Sequence, residues 1–366
     1  MLVNTAYRLK HGLGLTVAYF GGSITEGAGA SSYASSWAGL TTAWLRERFP
    51  ACAIRPVQAA IGGTDSTLGV HRCERDVCEA EPDLVFYEFA VNDSGMDFLT
   101  AVKNTEACFR KIRTANPAAE IVTVYTTTKY LSDRMAAGWV QLAKTAHGAV
   151  SFRYGIPQID IGEALRQRVL AEGSPRADEA DWLRYTTDTV HPNDAGYAIC
   201  ADVIRESLGR WIDGAEPLDG LRTYELPSPL VPEEESHMRA RIVDCREAAA
   251  DKCWTLKEES LCGRYPRYLA CGEPGGELTF CFTGRQVGLY WMMAKDSGDA
   301  LCSVDGGKAF SVRSWDHYCK SFNRANAACV IRDLAEGEHT LRLWVSADKA
   351  EESEGHMLRI GAFLVL

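Results

Sequence analysis

Residues 1 to 215 alternate short apolar runs with stretches of helical periodicity, and this alternation constrains the fold more than any other feature. The run 84–90 is nearly continuous in apolar residues, which is typical of a parallel strand covered on both faces. Repeated β-α units of this kind predict a flavodoxin-like three-layer α/β/α sandwich, with helices on both faces of a parallel sheet. The predicted strands are 15–20, 53–61, 84–90, 121–125 and 158–160, and the predicted helices are 37–49, 65–80, 102–114, 132–154 and 193–211.

Prolines crowd the segment that follows, and a different pattern begins beyond it. We predict a proline-rich linker at 216–235, between a domain at 1–215 and a second domain at 236–366. In the second domain, Asp305-Gly306-Gly307 lies between two strand-like runs and is a strong hairpin signal. Short strands at such spacing predict an all-β antiparallel sandwich. The candidate strands are 277–282, 286–292, 300–304, 308–312, 329–332, 339–345 and 358–366.

Composition and charge narrow the range of partners. The net charge of −10 argues against a nucleic-acid binder, because phosphate recognition needs a basic face, and it gives no attraction to anionic membranes. Thirteen cysteines without a CxxC pair or a zinc-like spacing are typical of a reducing compartment. The apolar run 13–20 is short and lacks a signal-peptide cleavage site, and no run is long enough to span a membrane. We therefore expect a cytoplasmic protein.

Polar residues with catalytic potential follow the predicted strands, where active sites of open α/β sheets form. Ser23 follows the first strand, Gly62-Gly63 the second, and Asn92-Asp93 the third. Asp188 and His191 lie three residues apart just before the last helix. Serine, acid and histidine are the parts of a serine esterase, because a hydroxyl needs a neutral imidazole to take its proton and a carboxylate to orient that imidazole.

Each of these positions has a predicted role. We expect Ser23 to be the nucleophile, His191 the general base, and Asp188 the residue that orients the imidazole. The backbone N–H groups of Ser23 and Gly63 and the side-chain amide of Asn92 would form the oxyanion hole. This chemistry needs no cofactor, and no cluster of acids and histidines in the sequence suggests a metal site.

These motifs closely resemble those of the SGNH (or GDSL) hydrolase family over roughly residues 13 to 212. The family's first block is matched by 21–27, the oxyanion glycine block by 60–66, the Gly-x-Asn-Asp block by 90–93, and the Asp-x-x-His-Pro block by 188–192. The resemblance implies ester hydrolysis through an acyl-enzyme. Small β-sandwich partners often accompany carbohydrate esterases of this kind, so the resemblance also implies an acylated oligosaccharide or a small-molecule ester as substrate.

The sequence departs from the family's motifs at two positions, and the oxyanion glycine has two candidates. Gly22 replaces the usual aspartate of the first block, and Ala90 replaces the usual glycine of the third. Either Gly62 or Gly63 can supply the oxyanion N–H, and we favour Gly63 because it precedes the polar run at 64–66. The simpler interpretations are that the serine only caps a helix and that the histidine belongs only to a helix-entry turn.

Other residues near these motifs have two interpretations each. Glu88 on a buried strand predicts a paired structural carboxylate near the site, with contact to the substrate as the alternative. Trp182 and Tyr185 precede the acid–histidine motif, so they form either an aromatic wall for a sugar ring or ordinary packing. We expect His147 to be packed or superficial rather than catalytic, and Asp93 to be a turn or cap residue.

The second domain contains an aromatic cluster that fits either a carbohydrate site or a sandwich core. Its members are Tyr290, Trp291, Trp315, His317 and Tyr318.

Taken together, the residues and the resemblance predict a serine esterase for short acyl groups, foremost acetyl groups on carbohydrates. A lipolytic acylhydrolase or thioesterase with a longer acyl pocket remains an alternative. So does a non-catalytic carbohydrate-binding protein. The sequence does not indicate an oligomeric state.

Overall fold

The computed structural model describes residues 2–174 and 177–366. Its chain forms two compact units, Met1–Met238 and Arg239–Leu366. Among the described residues, no helix combines the length and the apolar character needed to cross a membrane.

The first unit is a parallel sheet flanked by helices, as predicted. The sheet order is β2-β1-β3-β4-β5, and every neighbouring pair is parallel. Its strands are β1 (Leu15–Gly21), β2 (Ile54–Gln58), β3 (Leu84–Glu88), β4 (Glu120–Tyr125) and β5 (Gln158–Asp160). Its helices are α1 (Val3–His11), α2 (Ser23–Glu26), α3 (Trp37–Arg48), α4 (Ser66–Asp76), α5 (Phe98–Ala115), α6 (Lys129–Ala136), α7 (Leu142–Arg153), α8 (Ile161–Glu172), α9 (Glu179–Leu183) and α10 (Asp194–Asp213).

The central strands are buried on both faces because the helices cover the sheet. All five residues of β3 are buried, and the Tyr19 ring of β1 stacks on Phe86 of β3 at a centroid distance of 5.4 Å. The Trp37 ring of α3 meets both of those rings edge-on. Such aromatic packing fixes the strands that carry the proposed catalytic loops at their carboxyl ends.

The single long helix predicted at 132–154 is wrong, because the chain reverses between α6 and α7. Gly138 has a φ of 87°, the left-handed conformation that glycine adopts most easily. The Trp139 N–H donates to the Arg134 carbonyl at 2.9 Å, and the Gly138 N–H donates to the Met135 carbonyl at 2.9 Å. This pair of bonds is a Schellman ending, so Gly138, which lies inside the predicted helix, ends α6.

The proline-rich segment 216–235 packs along the first unit. The Tyr224 hydroxyl donates to Glu120 at 2.6 Å. The backbone N–H groups of Leu230 and Val231 donate to the Glu106 carboxylate at 2.7 and 3.0 Å. An extended segment has no internal partners for its N–H groups, so the buried Glu106 carboxylate of α5 accepts two of them.

The second unit consists of antiparallel sheets, again as predicted. One sheet has the order β13-β12-β15-β10-β7, and the other has the order β14-β11-β16-β9-β8, with β6 also paired to β16. The strands are β6 (Arg241–Asp244), β7 (Ala249–Ala250), β8 (Thr255–Lys257), β9 (Tyr268–Cys271), β10 (Glu277–Gly284), β11 (Val287–Met293), β12 (Asp299–Val304), β13 (Phe310–Arg313), β14 (Arg324–Ile331), β15 (Gly337–Val345) and β16 (Leu358–Val365).

The aromatic cluster of the second unit divides between core and surface. Tyr290, Trp291 and Trp315 are buried in the unit, whereas His317 and Tyr318 are exposed on a short 3-10 helix. Only two of the five residues therefore lie where a ligand can reach them.

Candidate active site

Ser23 lies on a sharp turn from the first strand into a short helix. The strand β1 ends at Gly21, and Ser23 is the first residue of α2. A Cβ atom at Gly21 would lie 2.4 Å from the carbonyl oxygen of Glu88, so only glycine fits this close approach between the strands. The turn presents the Ser23 side chain at the carboxyl edge of the sheet.

Ser23, His191 and Asp188 form a continuous hydrogen-bonded chain. The Ser23 Oγ atom lies 2.8 Å from His191 Nε2, and His191 Nδ1 lies 2.7 Å from Asp188 Oδ2. A carboxylate only accepts hydrogen bonds, so Nδ1 carries the ring proton and Nε2 is left to accept the serine proton. The three residues come from the two ends of the first unit, 168 positions apart for the serine and histidine.

The Asp188 carboxylate also shapes its own turn. Its Oδ1 atom accepts the backbone N–H groups of Val190 and His191 at 3.1 and 2.8 Å. Partial burial raises the pKa of Asp188. The hydrogen bonds from His191 and the electrostatic interaction with its ring lower that pKa by a larger amount, so the pKa of Asp188 lies below its ordinary value. Thr189 takes a left-handed φ of 65° at this turn, which lets one carboxylate reach both the backbone and the ring.

The backbone N–H groups of Gly62 and Gly63, which follow β2, differ in their hydrogen bonding. The Gly62 N–H donates to Glu26 Oε2 at 2.7 Å, so it is already engaged. Gly63 has a left-handed φ of 70° and is exposed, and within the described chain no acceptor is recorded for its N–H. The N–H of Gly62 is therefore occupied by Glu26, whereas that of Gly63 remains available to a ligand.

The Asn92 side chain reaches the same place from the loop after β3. A Cβ atom at Gly22 would lie 2.1 Å from Asn92 Oδ1. The amide therefore packs against the backbone that enters Ser23. The replacement of the family's aspartate by Gly22 leaves room for this contact.

Glu88 supports the nucleophile turn from below. It is 1% exposed and accepts the hydroxyl groups of Thr25 at 2.7 Å and of Thr126 at 2.6 Å. Burial raises the pKa of Glu88 above its ordinary value, although the two hydroxyl groups act in the opposite direction. The carboxylate thus ties α2 to the loop after β4, in a structural role.

Arg72 of α4 is a supporting residue that sequence reasoning missed. Its buried guanidinium donates to the carbonyl groups of Gly21, at 3.1 Å, and Ala59, and it lies 4.7 Å from the centre of the Phe20 ring. It therefore holds the ends of β1 and β2 where the proposed oxyanion donors begin. A basic residue among the apolar positions of a helix was the available signal.

Asp93 and His147 form a second, fully buried acid–histidine pair. Asp93 Oδ2 lies 2.8 Å from His147 Nε2, and Asp93 Oδ1 accepts the Ser66 N–H at 2.9 Å. Both side chains are 0% exposed, so the pair links three elements behind the loop of Asn92 rather than facing solvent.

Of the two interpretations of Trp182 and Tyr185, an aromatic wall and ordinary packing, the structure agrees with packing. Trp182 is 0% exposed and Tyr185 is 9% exposed, and both belong to the hydrophobic core of the first unit. Neither ring lines a surface that a substrate can reach.

The described residues contain no group of three or more histidine, cysteine, aspartate or glutamate side chains arranged to hold a metal ion. The groups at the site are those of proton transfer: a hydroxyl, an imidazole and a carboxylate in line.

Comparison with known proteins agrees with this architecture. Two crystal structures of a two-domain esterase (CEX) active on acetylated mannans are similar to this chain. The one co-crystallized with mannopentaose has a TM-score of 0.82 at 21% identity, covering 98% of this chain and 92% of that chain. The other has a TM-score of 0.83 at 20% identity, covering 100% and 95%. Likeness at this identity shows a shared fold. No curated protein matches the chain.

The sequence also matches a family model directly. Residues 19–199 match the model described as the GDSL-like lipase/acylhydrolase family, and this range contains every residue of the candidate site. Through this domain the chain belongs to the GDSL-like lipase/acylhydrolase family, and it is a carboxylic ester hydrolase.

Proposed function

We propose that the chain is a serine esterase that removes short acyl groups, foremost acetyl groups, from carbohydrates. The observation that carries the proposal is the line of hydrogen bonds from Ser23 Oγ through His191 to Asp188, at 2.8 and 2.7 Å. Such a line is the arrangement that makes a serine hydroxyl nucleophilic at neutral pH.

The reaction proceeds in two halves. Ser23 Oγ attacks the ester carbonyl carbon while His191 Nε2 takes the hydroxyl proton, and the imidazolium is stabilised by Asp188. The tetrahedral intermediate collapses, the bond to the sugar oxygen breaks, and His191 protonates the departing sugar hydroxyl. Water then attacks the acyl-enzyme by the same route and releases the carboxylic acid.

The oxyanion of each tetrahedral intermediate needs fixed donors. We assign this role to the backbone N–H groups of Ser23 and Gly63 and to the side-chain amide of Asn92. Removal of one such donor typically costs about 3 kcal/mol of barrier. The engaged N–H of Gly62 supports the assignment of Gly63.

The carbohydrate assignment rests on the two-domain likeness. The solved esterase that shares both units is active on acetylated mannans, and one of its crystals contains mannopentaose. An acetylated oligosaccharide is therefore the first substrate class to test.

The test is hydrolysis of p-nitrophenyl acetate and p-nitrophenyl octanoate by the wild type and by Ser23→Ala. We expect acetate to be preferred and Ser23→Ala to lower kcat by about 10⁴-fold or more. Ser32→Ala, a change of an exposed serine in the segment after α2, should leave kcat unchanged. A fluorophosphonate should label the wild type on Ser23 and leave Ser23→Ala unlabelled.

Other outcomes assign the protein differently. A preference for octanoate would favour the lipolytic or thioesterase alternative. Full activity in Ser23→Ala would refute the serine mechanism.

A further inference from the structure

Two aromatic side chains and an arginine form a cluster on α6 and the turn that follows it, in which Tyr130 and Arg134 are exposed and Trp139 is half-buried. Tyr130 is 63% exposed, and its hydroxyl accepts a hydrogen bond from Arg134 Nη1 at 2.9 Å. The Arg134 guanidinium carbon lies 4.5 Å from the centre of the Trp139 ring and 5.7 Å from that of Tyr130. We call these three residues the aromatic shelf.

The backbone under the aromatic shelf is ordered by local bonds. Thr128 caps α6 by accepting the Leu131 N–H at 3.2 Å, and Lys129 pairs with Asp133 at 2.6 Å across one helical turn. The glycine reversal at the end of α6 folds the Trp139 backbone back onto the helix. The backbone that carries the rings is therefore ordered before any ligand binds, which lowers the entropy cost of binding.

Both ends of the aromatic-shelf segment are tied to the candidate active site. The Lys129 N–H donates to the carbonyl of Thr189, which lies between Asp188 and His191, at 2.9 Å. At the other end, the Gln141 side-chain amide donates to the carbonyl of Ala90, two residues before Asn92, at 2.8 Å. The segment thus spans the edge of the site from the acid turn to the oxyanion loop.

The chemistry of the aromatic shelf matches a sugar ring. A pyranose has an apolar C–H face that packs on an aromatic ring and a rim of hydroxyl groups that accept hydrogen bonds. The rings of Tyr130 and Trp139 offer the first, and the guanidinium of Arg134 and the indole N–H offer donors for the second. A long acyl chain would have no use for these donors.

We infer that the aromatic shelf binds the sugar ring next to the acylated one and so sets the preference for oligosaccharides over simple esters. This inference rests on the proposed function. The same cluster replaces the buried wall that the sequence suggested, because Tyr130 and Trp139 are accessible where Trp182 and Tyr185 are not.

The test compares two substrates in Tyr130→Ala and Trp139→Ala: acetylated mannooligosaccharides of about five units and p-nitrophenyl acetate. Each substitution should raise KM for the oligosaccharide about tenfold, because one ring contact is lost. The kcat/KM for p-nitrophenyl acetate should stay within about twofold, since that substrate has no second sugar ring. Phe152→Ala is the matched control, because Phe152 is an 87% exposed aromatic residue on α7.

The outcomes separate this inference from the proposed function. An oligosaccharide KM no higher than that of Phe152→Ala would overturn the role of the aromatic shelf and leave the serine esterase intact. Equal losses on both substrates in both variants would also overturn it, because the residues would then act on folding or on the catalytic centre. Unchanged activity in Ser23→Ala would refute the proposed function itself.

Discussion

Asp188→Asn tests the proposed mechanism through a single atom. Asp188 Oδ1 accepts two backbone N–H groups, of Val190 and His191, and Oδ2 accepts the ring N–H of His191. An asparagine has one acceptor oxygen, and three N–H groups, two of the backbone and one of the ring, compete for it. The oxygen stays with the backbone, because an NH₂ group in that place would face two other donors.

The amide NH₂ of the variant then faces His191 Nδ1 across 2.7 Å. It donates to that nitrogen, so the ring proton moves to Nε2, and Nε2 can no longer accept the Ser23 proton. A wrong tautomer of this kind has cost a triad enzyme about 10⁴-fold in kcat, equivalent to about 5.4 kcal/mol of barrier. The Asp188 side chain is 52% exposed here, so solvent screens its charge, and we expect a loss of about 10³- to 10⁴-fold.

The assay is steady-state hydrolysis of p-nitrophenyl acetate at neutral pH. We expect kcat to fall while KM stays within about threefold, because Asp188 does not contact the substrate. Asp194→Asn is the control, since Asp194 also neighbours His191 in sequence but bonds Ser31 at 2.6 and 2.8 Å instead. A variant Asp188→Asn that retains more than about a tenth of kcat would refute the tautomer reasoning.

Two further predictions concern the residues around the triad. Burial raises the pKa of Glu88, so the folded protein binds the proton of this carboxyl group more tightly than the unfolded chain does. The free energy of unfolding should therefore fall as the pH rises from 4.5 through the pKa of the folded state. Glu88→Gln should flatten this decline in urea unfolding between about pH 4 and 8, and parallel curves for the two proteins would contradict it. Gly29→Ala should cost about 1–2 kcal/mol of stability and also lower kcat, because φ is 89° and the new Cβ would lie 2.5 Å from the Pro192 carbonyl beside the histidine. Gly155 has the same left-handed backbone, but a Cβ atom there would meet open space, so Gly155→Ala should lower stability and leave kcat unchanged. An equal loss of activity in both variants would count against the steric argument.

Much of the first unit could be predicted because its strands and helices have strong periodicity. The continuous apolar run around Phe86 gave β3, and the spacing from Trp37 gave α3. The helix α1 was missed, because its apolar residues precede a run that resembles a strand entry. Gly138 was misread because a glycine inside a periodic stretch signals either a tolerated helix residue or an ending, and only the bonds to Met135 and Arg134 decide between them.

The candidate site, too, could be predicted only in part. Order and spacing were enough to single out Ser23, Asp188 and His191, because the chemistry allows few residue types there. Buried support was only partly predictable: Glu88 was singled out as a carboxylate on a buried strand, whereas the role of Arg72 was missed, since it bonds carbonyl groups that any residue could provide. The aromatic residues were the weakest prediction: a tryptophan in sequence is equally compatible with a core and with a binding surface.

The sequence by itself determined the class of fold and the chemical types at the site, because hydrophobic period and strand-end motifs are local properties of the chain. The tertiary structure alone decided which groups meet. It brought Ser23 Oγ and His191 Nε2, 168 positions apart in the chain, to a distance of 2.8 Å. It bonded the N–H of Gly62 to Glu26 but not that of Gly63, and it buried Trp182 while exposing Tyr130. Contact and burial depend on how distant segments pack, and packing is a property of the whole folded chain.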